Sequence, residues 1–151
     1  MTALHFLNVF TGGVAAGGLF IVLVSYARSL NGMSAAEISR LHARFHPPTH
    51  RWMQAMTLTG AATAIIIAVV DRQGHFSGTL LILAGIPGAA LQAVLSRYWV
   101  VPWSDEMIAW GESGAPADFR AVVERWTRFH AWRVVGAVEA FVCYAVALLV
   151  R

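Results

Sequence analysis

The sequence contains little charge and a single cysteine. Only 13% of its 151 residues are charged and 58% are hydrophobic, which excludes a polar disordered chain and is unlike an ordinary soluble domain. The lone Cys143 excludes an internal disulfide. Lysine is absent, so all eleven basic residues are arginines. A Walker loop, a Rossmann fingerprint, a zinc-protease helix and a serine nucleophile elbow are also missing, so no enzyme class with those motifs is indicated.

Four long apolar runs fill most of the chain, at residues 3–27, 52–70, 79–101 and 129–150. A helix of about 20 residues crosses a hydrocarbon core of about 30 Å, so each run qualifies as a membrane span. The mean hydropathy of +0.60 agrees. The sequence therefore predicts a single transmembrane domain over residues 1–151, with an all-α fold in which the spans form an integral membrane antiparallel four-helix bundle.

The arginines concentrate in the first and third connections between these runs, whereas the second connection has only Arg72, offset by Asp71. The positive-inside rule then predicts that the first and third connections face the cytoplasm and that both termini lie outside. We expect a multi-pass protein of an inner or cytoplasmic membrane. The sequence pI near 9.8 is explained by this topology, and no nucleic-acid partner is expected.

Two local signals predict helix boundaries in the arginine-rich connections. Ser34 and Glu37 have the spacing of a capping box, which predicts a short helix through about residue 45. Pro47 and Pro48 are expected to end that helix, because proline disfavours helical geometry in the residue before it. In the third connection, a helix that begins at Ala117 or Asp118 is expected to run into the fourth span.

A cluster of histidines is the first candidate site. His42, His46 and His50 lie in the first connection and His130 lies at the mouth of the fourth run, so all four are expected on one side of the membrane. His42 and His46 share a helix face, and the turn at the prolines is expected to bring His50 back toward them. Neutral imidazole binds zinc, copper or iron. The first three therefore predict a transition-metal site, unless they are only polar residues of the interface.

The second candidate is a catalytic group on the fourth helix. Trp126, His130 and Arg133 fall on one helix face, and Arg133 lies inside the apolar boundary, where a guanidinium requires an acceptor. Asp105, beside Glu106 at the end of the third run, is the expected acceptor. A carboxylate, an arginine and a histidine together indicate general acid and base chemistry, although a structural ion pair and a tryptophan of the interfacial belt explain the same residues.

Glu139 lies near the middle of the fourth run, and an intramembrane carboxylate points to function. It is about 180° around the helix from His130, so the two cannot share a pocket. Its side chain either hydrogen-bonds between helices or faces a partner subunit, with Cys143 one turn further on. A comparable polar stripe on the third helix either lines a cavity or joins helices: Gln92, Ser96 and Arg97.

Two segments resemble a known family. Residues 98–105 read YWVVPWSD and residues 126–133 read WTRFHAWR. They resemble the anthrone oxygenase-like family of small four-helix membrane proteins, in which a proline and polar residues follow the third span. A Trp, three residues, a His or Asn, two residues and an Arg then lead into the fourth span. The pattern falls on Pro102, Trp126, His130 and Arg133, and the similarity extends to the layout of the spans.

This resemblance implies oxygenation of an electron-rich, polycyclic phenolic substrate with few or no cofactors. His130 would be the base and Arg133 would stabilise the phenolate that reacts with dioxygen. The histidine-rich stretch from His42 to His50 is not part of the family pattern, which keeps a histidine-bound transition metal open as a cofactor.

Other functions remain open on the sequence alone. The alternative is a non-catalytic or cofactor-carrying subunit of a larger membrane complex, and a homo-oligomer is also open. A haem held axially by His50 and His130 is one variant of that interpretation. Transport is a third class, although the paired broken helices typical of transporters are missing. In each case the expected partners are the lipid bilayer and a hydrophobic small molecule.

Overall fold

The computed structural model describes residues 2–70 and 76–150, and this part of the chain is helical without any strand. Four long helices follow one another: α1 (Thr2–Gly32), α2 (Ala35–Val70), α3 (Ser77–Ser113) and α4 (Phe119–Leu149). Each is long and apolar enough to cross a membrane, which confirms the all-helical prediction and the number of candidate spans. The prediction for the second connection rests on Asp71 and Arg72, which lie outside the described residues.

All four helices are longer than the apolar runs that predicted them. The 36 residues of α2 correspond to about 54 Å of helix, against a hydrocarbon core of about 30 Å. Most of the additional turns belong to residues 22–51 and 96–130, which we call the arginine-rich end. The connections expected on the basis of hydropathy are therefore largely helix, and the interhelical contacts continue through them.

The arginine-rich end has its own packed core. Leu30, Ile38 and Met107 are fully buried there, within a cluster that also includes Trp110 and Trp126. A second cluster lies around Leu19 in the middle of the bundle, and a third lies around Ile67 and Ile82 at the far end. Buried apolar side chains therefore stabilise the arginine-rich end as well as the rest of the bundle.

Two helices contain a π-helical turn where the apolar run meets the arginine-rich end. These turns are Val22–Tyr26 in α1 and Ser96–Val100 in α3. An extra residue in a turn changes the direction of the side chains that follow, and such turns are frequent at functional sites. Here they place Val22, Tyr26 and Val100 around a cavity described below.

The prediction that Pro47 and Pro48 end a short helix is wrong, since α2 runs through both prolines without interruption. Both are exposed, as are Ala43 and Arg44, whose carbonyls lose their helical partners. Solvent reaches those carbonyls, and the opposite face of the helix packs on the core around Ile38. Solvation of the carbonyls and packing of the opposite face together offset a cost of about 3 kcal/mol for each proline in a helix interior.

Both predicted helix starts are confirmed. Glu37 accepts hydrogen bonds from the Ser34 amide and hydroxyl at 2.8 and 2.7 Å, while the Ser34 hydroxyl accepts one from the Glu37 amide at 3.4 Å. This is the reciprocal capping box that the spacing indicated. Asp118 is the N-cap of α4, so this helix begins where the sequence placed it and continues through the fourth apolar run.

Arg120 joins the start of α4 to the end of α1. Its guanidinium donates to the carbonyls of Leu30 and Asn31 at 3.0 Å each, and also to that of Met33. These carbonyls lie in the last turn of α1 or just beyond it, where helical partners run out, although the Leu30 carbonyl also accepts from the Met33 amide at 3.2 Å. The planar guanidinium satisfies all three, which lysine with its single ammonium would not do equally well.

We predict that Arg120→Ala lowers the free energy of unfolding by about 2 kcal/mol, because three carbonyls lose a charged donor. Thermal unfolding in mild detergent, followed by circular dichroism, measures the change. Arg128→Ala, at an exposed position of the same helix, serves as the matched control and should differ from wild type by about 0.5 kcal/mol or less. Equal stability of the two variants would contradict the role assigned to Arg120.

Candidate functional site

The three histidines of α2 form a column along one helix face. The ring centroids of His42 and His46 are 6.5 Å apart and those of His46 and His50 are 5.4 Å apart, with interplanar angles of 29° and 13°. The expectation that the prolines turn the chain before His50 is therefore wrong. The imidazoles face the same way because they recur every four residues on a continuous helix.

This column does not have the form of a metal site. Within residues 2–70 and 76–150, no group of three or more histidine, cysteine, aspartate or glutamate side chains is arranged to hold a metal ion. Nearly parallel rings direct their nitrogens alongside one another, whereas metal ligands converge on one point. The metal site predicted at His42, His46 and His50 therefore stays a prediction without geometric support.

Tyr26 of α1 contacts the histidine column at His42. Its hydroxyl and Nδ1 of His42 are 2.7 Å apart and share a hydrogen bond. The Tyr26 ring also stacks on Phe45 at a centroid distance of 4.6 Å and meets Trp126 edge to face at 6.0 Å. The fully buried His42 is thus fixed by α1 on one side and by α4 on the other.

The predicted group on α4 is assembled as its spacing indicated. Trp126 stacks on His130 with centroids 5.1 Å apart and planes at 13°, and its indole N–H donates to the Ser104 hydroxyl at 2.9 Å. His130 Nε2 donates to the Leu19 carbonyl at 3.0 Å, since a carbonyl only accepts. The lone pair of Nδ1 then accepts from the Arg133 guanidinium at 3.3 Å.

Arg133 is only 7% exposed, and its Nε has no hydrogen-bond partner. The expected ion pair with Asp105 is not formed: Asp105 is exposed on α3, although its charge acts on the neighbouring His46 and His50. Among the residues that the structure describes, the ion pair within 4.0 Å joins Arg125 to Asp118 instead. A buried guanidinium whose contacts are neutral retains unused capacity for an anion.

Two cavities meet at Arg133, which lines both together with His50 and Met53. The smaller, of about 40 Å³, extends between the histidine column, Trp126 and His130. The larger, of about 250 Å³, lies between α2 and α3. For scale, a cavity of about 150 Å³ in an engineered protein accommodates benzene. Arg133 therefore faces a space large enough for a small organic molecule.

The haem alternative does not match this geometry. Both ring nitrogens of His130 are engaged, one with the Leu19 carbonyl and the other with Arg133. Axial ligation needs a free imidazole lone pair directed at the iron. The residues around His50 and His130 therefore do not fit an axially ligated haem.

Glu139 belongs to a contact between helices and lies apart from the site. Its carboxylate packs against Gly88 of α3 and accepts a long hydrogen bond from the Cys143 thiol at 3.5 Å. The helices approach closely here, since a Cβ placed on Gly136 would lie 2.6 Å from the Gly88 carbonyl oxygen. Within the described part of the chain, the predicted hydrogen bond between helices is not formed: Glu139 packs against α3, but its hydrogen bond is to Cys143 of its own helix and its Oε2 is buried without a partner.

Gln92 has both of the roles considered for the polar stripe of α3. Its amide donates to the Thr57 hydroxyl at 3.0 Å, which joins α3 to α2. It also lines the larger cavity, together with Ser96 and Arg97. Sequence reasoning missed Tyr26, Met53 and Thr57 as members of the site, because nothing in their spacing pairs residues of α1 with residues of α2.

No family model, curated protein or solved structure matches this chain. The resemblance to the anthrone oxygenase-like family therefore remains an expectation.

The imidazoles of α2 are neutral at pH 7. They precede Trp52, where the second apolar run begins, and so lie outside the predicted membrane-crossing segment 52–70. Burial lowers the pKa of His42 to about 4. Burial, and next the neighbouring His50, lower the pKa of His46; burial and then Arg133 lower that of His50. The lowered pKa values favour the neutral form of each imidazole near neutral pH, and burial makes the charged form of His42 especially unfavourable.

We predict that the protein loses stability in mild acid through His42. The contribution of its neutral imidazole is fully present above its ordinary pKa of 6.5 and declines as the pH falls toward 4. Between roughly pH 7.5 and pH 5 the loss amounts to about 2 kcal/mol. Unfolding measured at both values should show it in wild type, whereas His42→Phe should show a smaller pH dependence. An unchanged dependence in that variant would contradict the assignment.

Proposed function

We propose that this protein is an integral membrane oxygenase that converts a hydrophobic phenol to a quinone. Its four helices cross the membrane as an antiparallel bundle, and its site lies at the arginine-rich, cytoplasmic boundary. The observation that supports this most is Arg133, a buried guanidinium that faces a cavity and has no carboxylate within 4.0 Å among the described residues. A phenolate supplies the missing negative charge, and the cavity accommodates its ring.

The proposed reaction needs dioxygen as its only co-reactant. The ring carbon para to the hydroxyl loses its hydrogen and gains one oxygen atom, while the hydroxyl loses its proton. The second oxygen atom leaves as water with those two hydrogens, so that one phenol and one dioxygen give one para-quinone and one water. The phenol loses four electrons in total, and dioxygen accepts them. A phenolate is electron-rich enough to react with dioxygen once its proton has been removed.

His50 is the residue best placed to remove that proton. It lines both cavities beside Arg133, and its imidazole is neutral near pH 7. His130 was predicted for this role, but its basic nitrogen is directed at Arg133. In the proposed site His130 positions the guanidinium, Arg133 stabilises the phenolate, and His50 accepts the proton. Trp126 stacks on His130 and keeps its ring in place.

We predict oxygen uptake and quinone formation when the purified protein in lipid nanodiscs receives 1-naphthol. Arg133→Gln should reduce the rate by a factor of about 100 or more, because the anion loses its charged partner. His50→Gln should reduce it by a similar factor at neutral pH. An oxygen electrode measures the dioxygen consumed, and the absorbance of the quinone measures the product of the same reaction.

Arg51→Gln is the matched control, since Arg51 is an exposed arginine close in sequence to the site. It should retain the wild-type rate. Equal rates in wild type and Arg133→Gln, with both proteins folded, would refute the proposed role of Arg133. Substrate oxidation without oxygen uptake would refute the reaction.

A further inference from the structure

The larger cavity opens sideways, between α2 and α3. Two of its lining residues, Leu58 and Ala93, are exposed, and Leu58 reaches 61% exposure. Both lie within the apolar runs 52–70 and 79–101. In a bilayer this mouth borders the lipid chains, with the exposed Gln54 and Arg97 at its polar edge.

The opposite side of the cavity is closed. Gln92 is only 5% exposed, and its hydrogen bond to Thr57 joins α2 to α3 across the floor. Arg133 closes the inner wall from α4. The space therefore has a polar interior that includes one buried positive charge, and it has an apolar mouth at the surface of the bundle.

The dimensions of the cavity limit its occupant. At about 250 Å³, it has room for roughly two fused rings, judged from the cavity of about 150 Å³ that accommodates benzene. A third ring or an alkyl chain would have to extend through the mouth. A flexible alkyl chain does so at little cost, because the surrounding lipid is as apolar as the chain itself, whereas a rigid third ring lies in the plane of the other two and cannot bend through the opening.

We infer that the substrate is a phenol of one or two rings that carries an alkyl tail, and that it reaches the site sideways from the bilayer. The hydroxyl enters first and meets Arg133, the ring fills the space between α2 and α3, and the tail remains among the lipid chains. This inference rests on the proposed function and names its substrate class, which differs from the polycyclic phenols implied by the family resemblance.

The test measures binding without turnover. Wild-type protein in phosphatidylcholine nanodiscs is titrated under argon with 6-methyl-, 6-butyl- and 6-octyl-1-naphthol, whose tails lie at the end of the ring system far from the hydroxyl, with each concentration expressed per lipid. We expect the three dissociation constants to agree within about threefold, since the tail is in lipid before and after binding. A three-ring phenol without a tail should bind at least about tenfold more weakly. Loss of binding with the octyl chain, or equal binding of the three-ring phenol, would overturn the inference.

Variants of the mouth test the route. Ala93→Trp and Leu58→Trp each place an indole at the opening and should weaken binding of the octyl compound about tenfold or more. Val94→Trp, at the adjacent exposed position on α3, is the matched control and should bind like wild type. Wild-type affinity in both mouth variants would exclude the lateral route.

The outcomes separate the two proposals. If Arg133→Gln abolishes binding while the mouth variants do not change it, the anion site stands and the sideways route is wrong. If the mouth variants abolish binding while Arg133→Gln does not, the route stands and the proposed chemistry at Arg133 is wrong. Absence of binding by every alkylnaphthol in wild type would overturn the inferred substrate class, whatever the result of oxygen-uptake measurements with other phenols.

Discussion

The site depends on a buried guanidinium whose protein contacts are neutral. Arg133 is 7% exposed and donates to His130, and its Nε has no partner. Removing such a charge from water is costly unless an anion compensates it. The surrounding contacts hold this charge beside a cavity: the Leu19 carbonyl fixes the tautomer of His130, and Trp126 stacks on the same ring. A binding role for Arg133 accounts for an arrangement that fold stability alone does not favour.

The arginine-rich end supplies the rigidity that this arrangement needs. Four helices continue past their apolar runs and pack around Leu30, Ile38 and Met107. Arg120 joins α4 to the end of α1, and the Ser34 capping box starts α2. The histidine column and Arg133 therefore lie on continuous helices that pack on this core, and sites on rigid elements hold their geometry better than sites on loops.

Hydropathy predicted the helices well because twenty apolar residues in a row have few alternatives to a membrane-length helix. The grouping of Trp126, His130 and Arg133 was also predictable, since three- and four-residue spacing fixes a shared helix face. The continuation of α2 through Pro47 and Pro48 was not, because tertiary packing outweighed a local preference. The rest of the site could not be predicted, because it depends on contacts between helices distant in sequence. Asp105 is exposed, and Tyr26 and Thr57 join the site through His42 and Gln92.

The most direct test compares the thermal unfolding of wild type and Arg133→Met in nanodiscs, each with and without 1-naphthol under argon. If Arg133 binds an anionic ligand and does not stabilise the fold, Arg133→Met without ligand should unfold at the same temperature as wild type or higher. The reason is that an apolar side chain replaces an uncompensated buried charge. Addition of the naphthol should then raise the unfolding temperature of wild type alone. A variant that is strongly destabilised without ligand, or that is stabilised by the naphthol as much as wild type, would contradict the account.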